Sequence, residues 1–398
     1  MKILQLTPQF VFPPDDGGRI GIVNITKHLS ELGCEITMVS LNTSQPKYQE
    51  VSVSDVYKIP VHSIHHSTKN SLSRIISSVF DKQPLYLRKH YSKQILDQTV
   101  SVLKQSKYDI IHADHTAMIP LALELKKRYS IPIGVRMHNV EWKIWQRYAN
   151  QLPVYSSAKY YIQSQANKLR THETLLLQNV DIAFPISEVD GTEISQMSPN
   201  TKQVIVPAGV NSNEWRSKPD GIRNQYELIL ATPWSWKHNL NGALWFIQNV
   251  LPLIRNVIPE CTLTLIGKNA PPELYKMEQT GVKCLGYVES VIPFYHKASV
   301  YVAPLFVGSG VRIKILEAMA AGLPVVATTI AAEGISAKQE QGVFRCDIAE
   351  EFAKEIINLL LNPKQRELSG NAASECVTSL YEWRTGINLM YNEYRKMI

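Results

Sequence analysis

Residues 303–328, Ala-Pro-Leu-Phe-Val-Gly-Ser-Gly-Val-Arg-Ile-Lys-Ile-Leu-Glu-Ala-Met-Ala-Ala-Gly-Leu-Pro-Val-Val-Ala-Thr, are the most informative stretch of the chain. A short apolar strand, Val300 to Ala303, leads into a turn on Gly308-Ser309-Gly310. A helix begins near Val311 or Arg312 and stops at Gly322, before a second buried strand, Pro324 to Ala327. A glycine loop feeding a helix N-terminus aims unpaired backbone N–H groups and the positive end of the helix dipole at one point. Arg312 and Lys314 add two cations to the first turn, against the dipole, so the pattern expects an anion in front of the helix. Glu317 follows, a carboxylate able to accept hydrogen bonds from hydroxyls. Diphosphate plus ribose matches that set. The plainer reading is a strand-loop-helix unit with ordinary surface charges.

Outward from this stretch, strands and helices alternate, the sign of parallel sheets with crossover helices. In the first half Ile3–Leu6, Glu35–Leu41, Asp109–His112, Ile131–Met137, Asp181–Phe184 and Gln203–Val206 read as strands, with helices near Arg19–Leu32, Ala117–Tyr129 and Tyr155–Gln178. The second half repeats the rhythm with strands Leu228–Ala231, Thr262–Ile266, Lys283–Leu285, Ser299–Ala303 and Pro324–Ala327. Its helices are expected at about Leu240–Ile254, Pro272–Gln279, Val291–His296, Arg312–Ala321 and Glu350–Leu361. A turn-rich segment from Pro207 to Gly221 reads as the interdomain linker. The expected division is 1–207, 208–380 and a terminal helical segment 381–398.

At 398 residues the chain suits two domains rather than one core. Its 44% hydrophobic and 19% charged residues describe a soluble globular protein, and no run approaches the ~20 apolar residues of a membrane span. The N-terminus reads as a first strand rather than a signal peptide. Five cysteines without a CxxC pair argue against disulfide or metal use and fit a reducing, cytoplasmic compartment. The net charge of +7 is uneven: residues 1–208 hold 23 Lys and Arg against 17 Asp and Glu. A basic first half suggests attraction to anionic lipid surfaces or acidic substrates, beside the plain reading of a solvated surface. Nothing points to nucleic acid.

Two absences narrow the chemistry. A nicotinamide-binding domain would show G-x-G-x-x-G directly after strand one, whereas here a longer loop ends in Gly17-Gly18-Arg19. No Asp-x-Asp occurs, which removes a common metal-diphosphate signature.

The chain resembles the retaining, nucleotide-sugar-dependent glycosyltransferases of family 4. The landmarks run in order through nearly the whole chain: Gly17-Gly18, His138-Asn139-Val140-Glu141, Pro185-Ile-Ser187-Glu-Val-Asp190, Val206-Pro-Ala-Gly209-Val210, Leu285-Gly286-Tyr287-Val288, and Lys314-Ile-Leu-Glu317 through Gly322-Leu-Pro324. The resemblance implies an α/β GT-B fold, with two Rossmann-like domains whose parallel sheets face a central cleft and a C-terminal helix crossing back to the first domain. It implies an acceptor domain first and a donor domain second. The donor would be a nucleoside diphosphate sugar, its base near Tyr287 and Val288 and its ribose on Glu317. The diphosphate would lie between the Gly308–Arg312 helix start (Gly308, Ser309, Gly310, Arg312) and the Gly17-Gly18 loop. His138 would face the reacting sugar, with Asn139 and Glu141 on the acceptor side. In similar enzymes the leaving diphosphate itself is thought to take the acceptor proton, so the protein positions the reactants and stabilises leaving-group charge. No cofactor or metal is implied. The acceptor would be a glycan or lipid-linked acceptor, in synthesis of a bacterial-type surface polysaccharide or glycoconjugate.

Two positions depart from the family pattern. Many relatives carry Glu-x7-Glu, and the first of that pair is Ser309 here. Relatives also place Arg and Lys after the first strand of the second domain, where this chain has Thr232-Pro-Trp-Ser-Trp236-Lys237-His238 and no arginine. The inference is that the phosphate cations have moved to Arg312 and Lys314, with Lys237 assisting. Two rival readings stand beside transfer: a nucleotide-sugar 2-epimerase, and a non-catalytic nucleotide- or glycan-binding relative.

Other features carry paired readings. His112, Asp114 and His115 at a strand end are a metal site or polar loop residues. Trp234 and Trp236 cover the core or stack on sugar. In Leu72-Ser-Arg74-Ile75-Ile76-Ser-Ser-Val79-Phe80 one apolar helical face, flanked by Arg74, Lys82 and Arg88-Lys89, either packs on the sheet or rests peripherally on an anionic membrane.

Overall fold

Two six-stranded sheets, parallel throughout, organise the chain in the computed structural model, which describes residues 1–14, 17–43, 59–216, 223–277, 281–308 and 310–398. The first sheet comprises β1 (Lys2–Thr7), β2 (Glu35–Asn42), β3 (Val61–His65), β4 (Ile110–Asp114), β5 (Ile133–Met137) and β6 (Ile182–Pro185), in the order β3-β2-β1-β4-β5-β6. The second comprises β7 (Glu227–Ala231), β8 (Thr262–Ile266), β9 (Val282–Gly286), β10 (Val300–Ala303), β11 (Val325–Ala327) and β12 (Val343–Arg345), in the order β12-β11-β10-β7-β8-β9. Read from β9, the second order repeats the first. Both are the doubly wound arrangement in which strand order reverses beside the first strand, and ligands bind at that reversal, outside the carboxyl ends of the strands. The reversal falls between β1 and β4 in one sheet and between β7 and β10 in the other.

The strands are rich in apolar residues and mostly buried, because helices cover both faces of each sheet. β4 and β5 are buried along their whole length. One compact unit contains Met1–Pro207 together with Trp383–Ile398, and the other contains Ala208–Glu382. The last helix, Trp383–Arg395, buries Trp383, Ile387, Met390 and Tyr394 against Ile3, Ile25, Ile110, Ile182 and Phe184 of the first unit. The spacing of those four residues places them on one helical face. Gly134 in β5 makes this docking possible: a Cβ there would overlap the Tyr394 ring.

Several elements differ from the sequence reading. Gln203–Val206 is not a strand of the sheet; it bridges β6 only at Ala183 and Gln203, with further backbone bonds from Val204 to Ala183 and Val206 to Pro185. The edge strands β3 and β12 escaped notice. β3 reads Val-His-Ser-Ile-His, and an edge strand needs no continuous apolar run. The expected helix Leu240–Ile254 is instead an α-helix Lys237–Trp245, a π-turn Phe246–Val250 and an α-helix Leu251–Val257. Pro252 lacks the N–H that an unbroken α-helix would use. Pro272–Gln279 shortens to Pro272–Tyr275, its far end lying outside the described residues.

Candidate active site

In the first unit the reversal point is built from the ends of β1, β4 and β5. β4 ends in Asp114, whose carboxylate is fully buried. Gln5 Nε2 donates to one of its oxygens at 2.6 Å, His112 Nε2 lies 3.3 Å from the same oxygen, and His138 Nε2 lies 3.3 Å from the other. Burial pushes the Asp114 carboxyl up, but the His112 and His138 imidazoles more than offset it and hold it well below the usual carboxylate range. The other nitrogen of His112 meets the Tyr394 hydroxyl at 2.5 Å. One carboxylate therefore orients two histidines, and only His138, at the end of β5, reaches the strand tips.

Stacked on His138 is His115, with ring centroids 5.1 Å apart and planes 20° from parallel. His115 follows β4 with φ 82° and ψ 145°, a region that non-glycine residues occupy at a cost of about 1–3 kcal/mol and mostly at functional sites. Its N–H donates to the Arg136 carbonyl at 2.9 Å. Its Nδ1 lies 2.8 Å from the Tyr86 hydroxyl and 3.5 Å from Glu141 Oε1. Burial, then the neighbouring His138 and His90, push the His115 imidazole well below its ordinary value.

Glu141 opens the helix Glu141–Gln151 and is buried. Burial and the adjacent Glu173 carboxyl push it up to about 8. Glu173, on the helix Ser157–Leu177, accepts from Thr116 Oγ1 at 2.9 Å and from the backbone N–H groups of Glu141 and Trp142, each at 3.3 Å. It therefore caps the helix that carries Glu141, the favourable end for an anion. Burial still pushes Glu173 up to about 7. Asn139, between His138 and Glu141, hydrogen-bonds the Glu141 carboxyl. Gly17 and Gly18 are the first residues of the helix Gly17–Glu31, where backbone N–H groups have no partner inside the helix.

In the second unit β10 leads into the glycine loop and the helix Ile313–Ala320. Gly308 has φ 137°, and a Cβ on it would overlap the Arg312 guanidinium, so only glycine lets that side chain fold back over the loop. Arg312 is the N-cap residue and its Nη1 donates to the Gly310 carbonyl at 2.9 Å. Lys314 Nζ sits 2.9 Å from Glu317 Oε2. Both cations thus have partners within the loop and helix, which the sequence reading did not foresee. Burial pushes the Glu317 carboxyl up and Lys314 pulls it back. Ser309 lies outside the described residues. Lys237, exposed, is the first residue of its helix after β7. Tyr287 is exposed after β9, with Lys268 Nζ 5.0 Å from its ring centre, and Val288 packs at the edge of the core.

Among the described residues no group of three or more His, Cys, Asp or Glu could hold a metal ion, and His112 and His115 face opposite ways, toward Tyr394 and Tyr86. Trp234 is buried in the core, whereas Trp236 is exposed. Tyr86, Glu173 and Arg136 went unnoticed in the sequence. The first two lie far along the chain from the residues they touch. Arg136 left one signal, a charge inside the apolar strand Ile133–Met137; it is buried and its Nη1 donates to the Val206 carbonyl at 3.0 Å.

Two Rossmann-like units are the architecture of the GT-B glycosyltransferases. The chain belongs to glycosyltransferase family 4: that family's profile matches residues 16–214, and the profile of the glycosyl transferases group 1 matches residues 228–362. It is 20% identical over 385 residues to an uncharacterized 44.6 kDa protein in the cps region of Klebsiella pneumoniae, covering 94% of this chain and 95% of that one. It is 22% identical over 386 residues to the sulfoquinovosyl transferase SQD2 of Arabidopsis thaliana, covering 93% of this chain and 68% of that one. The structure of Anabaena HepE in complex with UDP has the same fold, with a TM-score of 0.71 at 15% identity and 100% of both chains covered.

Proposed function

We propose that this enzyme transfers a sugar from a nucleoside diphosphate sugar to a glycan or lipid-linked acceptor, with retention and without a metal, in the synthesis of a surface glycan. The observation that carries the reading is the buried Glu317 carboxylate, paired with Lys314 one turn beyond the Gly308–Arg312 loop. A carboxylate there suits the vicinal hydroxyls of a ribose. The helix start, with Gly308, Gly310 and Arg312, suits the diphosphate, with Lys237 assisting. Tyr287 and Val288 are assigned to the base; within the first unit the open helix start at Gly17 and Gly18 suits a phosphate. His138, oriented by Asp114, is assigned to the reacting sugar, and Asn139 and Glu141 to the acceptor. As the sugar–phosphate bond breaks, charge collects on the leaving oxygen, and donors already aimed at that point lower the barrier without reorganising. The UDP bound by Anabaena HepE, the leaving group of a UDP-sugar, supports a nucleoside diphosphate sugar as donor.

The acceptor side of this reading includes a lipid surface. Ile76 and Phe80 of the helix Leu72–Phe80 are 54% and 85% exposed, and its one buried residue is Ser78. That inverts the usual arrangement, in which the apolar stripe faces the core. Between Lys69 and Lys93 six Lys and Arg accompany one carboxylate, Asp81. Exposed apolar residues in a segment of net positive charge suit an anionic membrane surface. Among the described residues no helix is long and apolar enough to cross a membrane.

The test incubates the protein with several nucleotide sugars, with and without a lipid-linked glycan. Acceptor-dependent nucleotide release, with the product's anomeric configuration unchanged by NMR, supports the reading. Acceptor-independent isomerisation points instead to an epimerase, and binding without turnover to a non-catalytic relative.

A further inference from the structure

His115 has no part in the site as assigned so far, yet it is held in a costly backbone conformation with its ring laid on His138. A strained residue persists only where its surroundings hold it, and here they converge on the side chain. Tyr86, from the helix Leu85–Arg88, meets Nδ1, Glu141 stands behind Tyr86, and His138 covers one ring face. Resting on the transfer reading above, we propose that His115 binds the attacking hydroxyl of a polyhydroxylated acceptor: its Nε2 receives that O–H, while Tyr86 and Glu141 fix which ring nitrogen is bare.

The relay has a direction. Tyr86 and Glu141 share a hydrogen bond. When Glu141 is ionised, the Tyr86 O–H donates to it, and the Tyr86 oxygen then accepts the Nδ1–H of His115. Nε2 is left as a lone pair, the form that takes a hydroxyl. When Glu141 carries a proton, the chain of donors can run the other way and Nε2 becomes a donor, which does not hold a nucleophile with its attacking lone pair free. The charged and titratable groups facing Glu141 are Tyr86, His115, Lys89 and Glu173, with Asn139 as a neutral hydrogen-bond partner. Those facing His115 are Tyr86, Glu141, His138, His90 and Asp114. Burial pushes the His115 imidazole below its ordinary value and so disfavours the imidazolium. It therefore holds the hydroxyl by one hydrogen bond. As the acceptor oxygen bonds to the sugar and the sugar–phosphate bond breaks, the O–H turns from Nε2 to the leaving phosphate oxygen, which takes the proton.

The decisive variant is His115→Gly, because glycine adopts a positive φ freely. Its melting temperature should equal or exceed that of the wild type, and its nucleoside diphosphate affinity should stay within about twofold. The ratio of acceptor transfer to acceptor-independent donor hydrolysis should fall roughly 100-fold, the loss expected for one positioned hydrogen-bonding group. His115→Gln, whose amide reaches toward the Nε2 position, should recover part of that ratio. In the wild type kcat/KM for the acceptor should rise with pH through about 8, where Glu141 ionises, and Tyr86→Phe should flatten the rise. A folded His115→Gly protein with wild-type transfer, or one that loses hydrolysis and transfer equally, overturns the assignment. A wild type with no transfer to any acceptor overturns the transfer reading and this assignment together. An active wild type beside an equally active His115→Gly overturns only the assignment.

Discussion

Lys314 Nζ lies 2.9 Å from the buried carboxylate of Glu317, one turn along the same helix. Two residues that the sequence suggests for different parts of a ligand, phosphate and ribose, are one electrostatic pair. Burial disfavours the Glu317 anion and Lys314 restores it. Removing either member therefore changes the other.

Glu317→Ala should weaken nucleoside diphosphate binding at least tenfold, since hydrogen bonds to charged groups contribute roughly 1.5–3 kcal/mol each. Lys314→Ala should lower turnover by on the order of 10²–10³. Because the two are paired, the double variant should lose less than the two single losses combined. Titration calorimetry and initial rates on folded variants read this. Strict additivity would mean that the pair does not act as a unit.

Glu141 and Glu173 give stability a pH dependence of known sign. Burial raises both folded-state values, to about 8 and about 7. A carboxyl raised in the folded state binds its proton more tightly there than in the unfolded chain, so its contribution is full at acid pH and is lost as pH rises through the folded value. Glu141→Gln keeps the shape and cannot ionise. Its melting temperature relative to wild type should therefore be higher at pH 8.5 than at pH 5, as thermal unfolding across that range measures. Asp114, held low, acts in the opposite sense: its contribution is present above the ordinary aspartate range and is lost as pH falls.

Gly134→Ala drives a methyl into the Tyr394 ring. Overpacking of this kind costs about 1–3 kcal/mol. The terminal helix should loosen, and amides of 383–395 should exchange faster than in the wild type. Unchanged exchange and an unchanged melting temperature would show that the helix shifts to accommodate the methyl at no cost.

Turnover should survive EDTA, as the proposed phosphate site relies on helix N–H groups and cationic side chains. Loss of activity on chelation, restored by Mg²⁺ or Mn²⁺, would place a metal at the diphosphate.

Phe80→Asp with Ile76→Ser should abolish co-sedimentation with vesicles containing phosphatidylglycerol and leave thermal stability unchanged, because both side chains are exposed. Raised salt should weaken wild-type binding, since the attraction includes surface charge. Equal wild-type binding to purely zwitterionic vesicles would remove the cations from the account.

Much of this protein was legible locally. The strands of both sheet centres are mainly apolar, and the helix Ile313–Ala320 shows its start and stop in Gly308, Gly310 and Gly322. Composition and the alternation of elements led to a two-domain α/β chain, and the ordered landmarks led to the family. What escaped follows a physical pattern. β3 and β12 lie at sheet edges, where only part of the strand is buried and the apolar signal is weak.

By itself the sequence determined the class of fold, because periodicity and turn chemistry act over a few residues at a time. It also determined which side chains stand at strand ends: His138 after β5, Glu317 on its helix, and Asp114 with His115 after β4. Only the tertiary structure decided which of them meet. Tyr86 touches His115 across 29 residues, Glu173 caps Glu141 across 32, and Tyr394 reaches His112 across 282. No local rule sets those contacts; they follow from how crossover helices pack on a parallel sheet. Burial pushes both Glu141 and Asp114 up, and their neighbours then part them: Glu141 lies beside another carboxylate, Asp114 beside two imidazoles that hold it low.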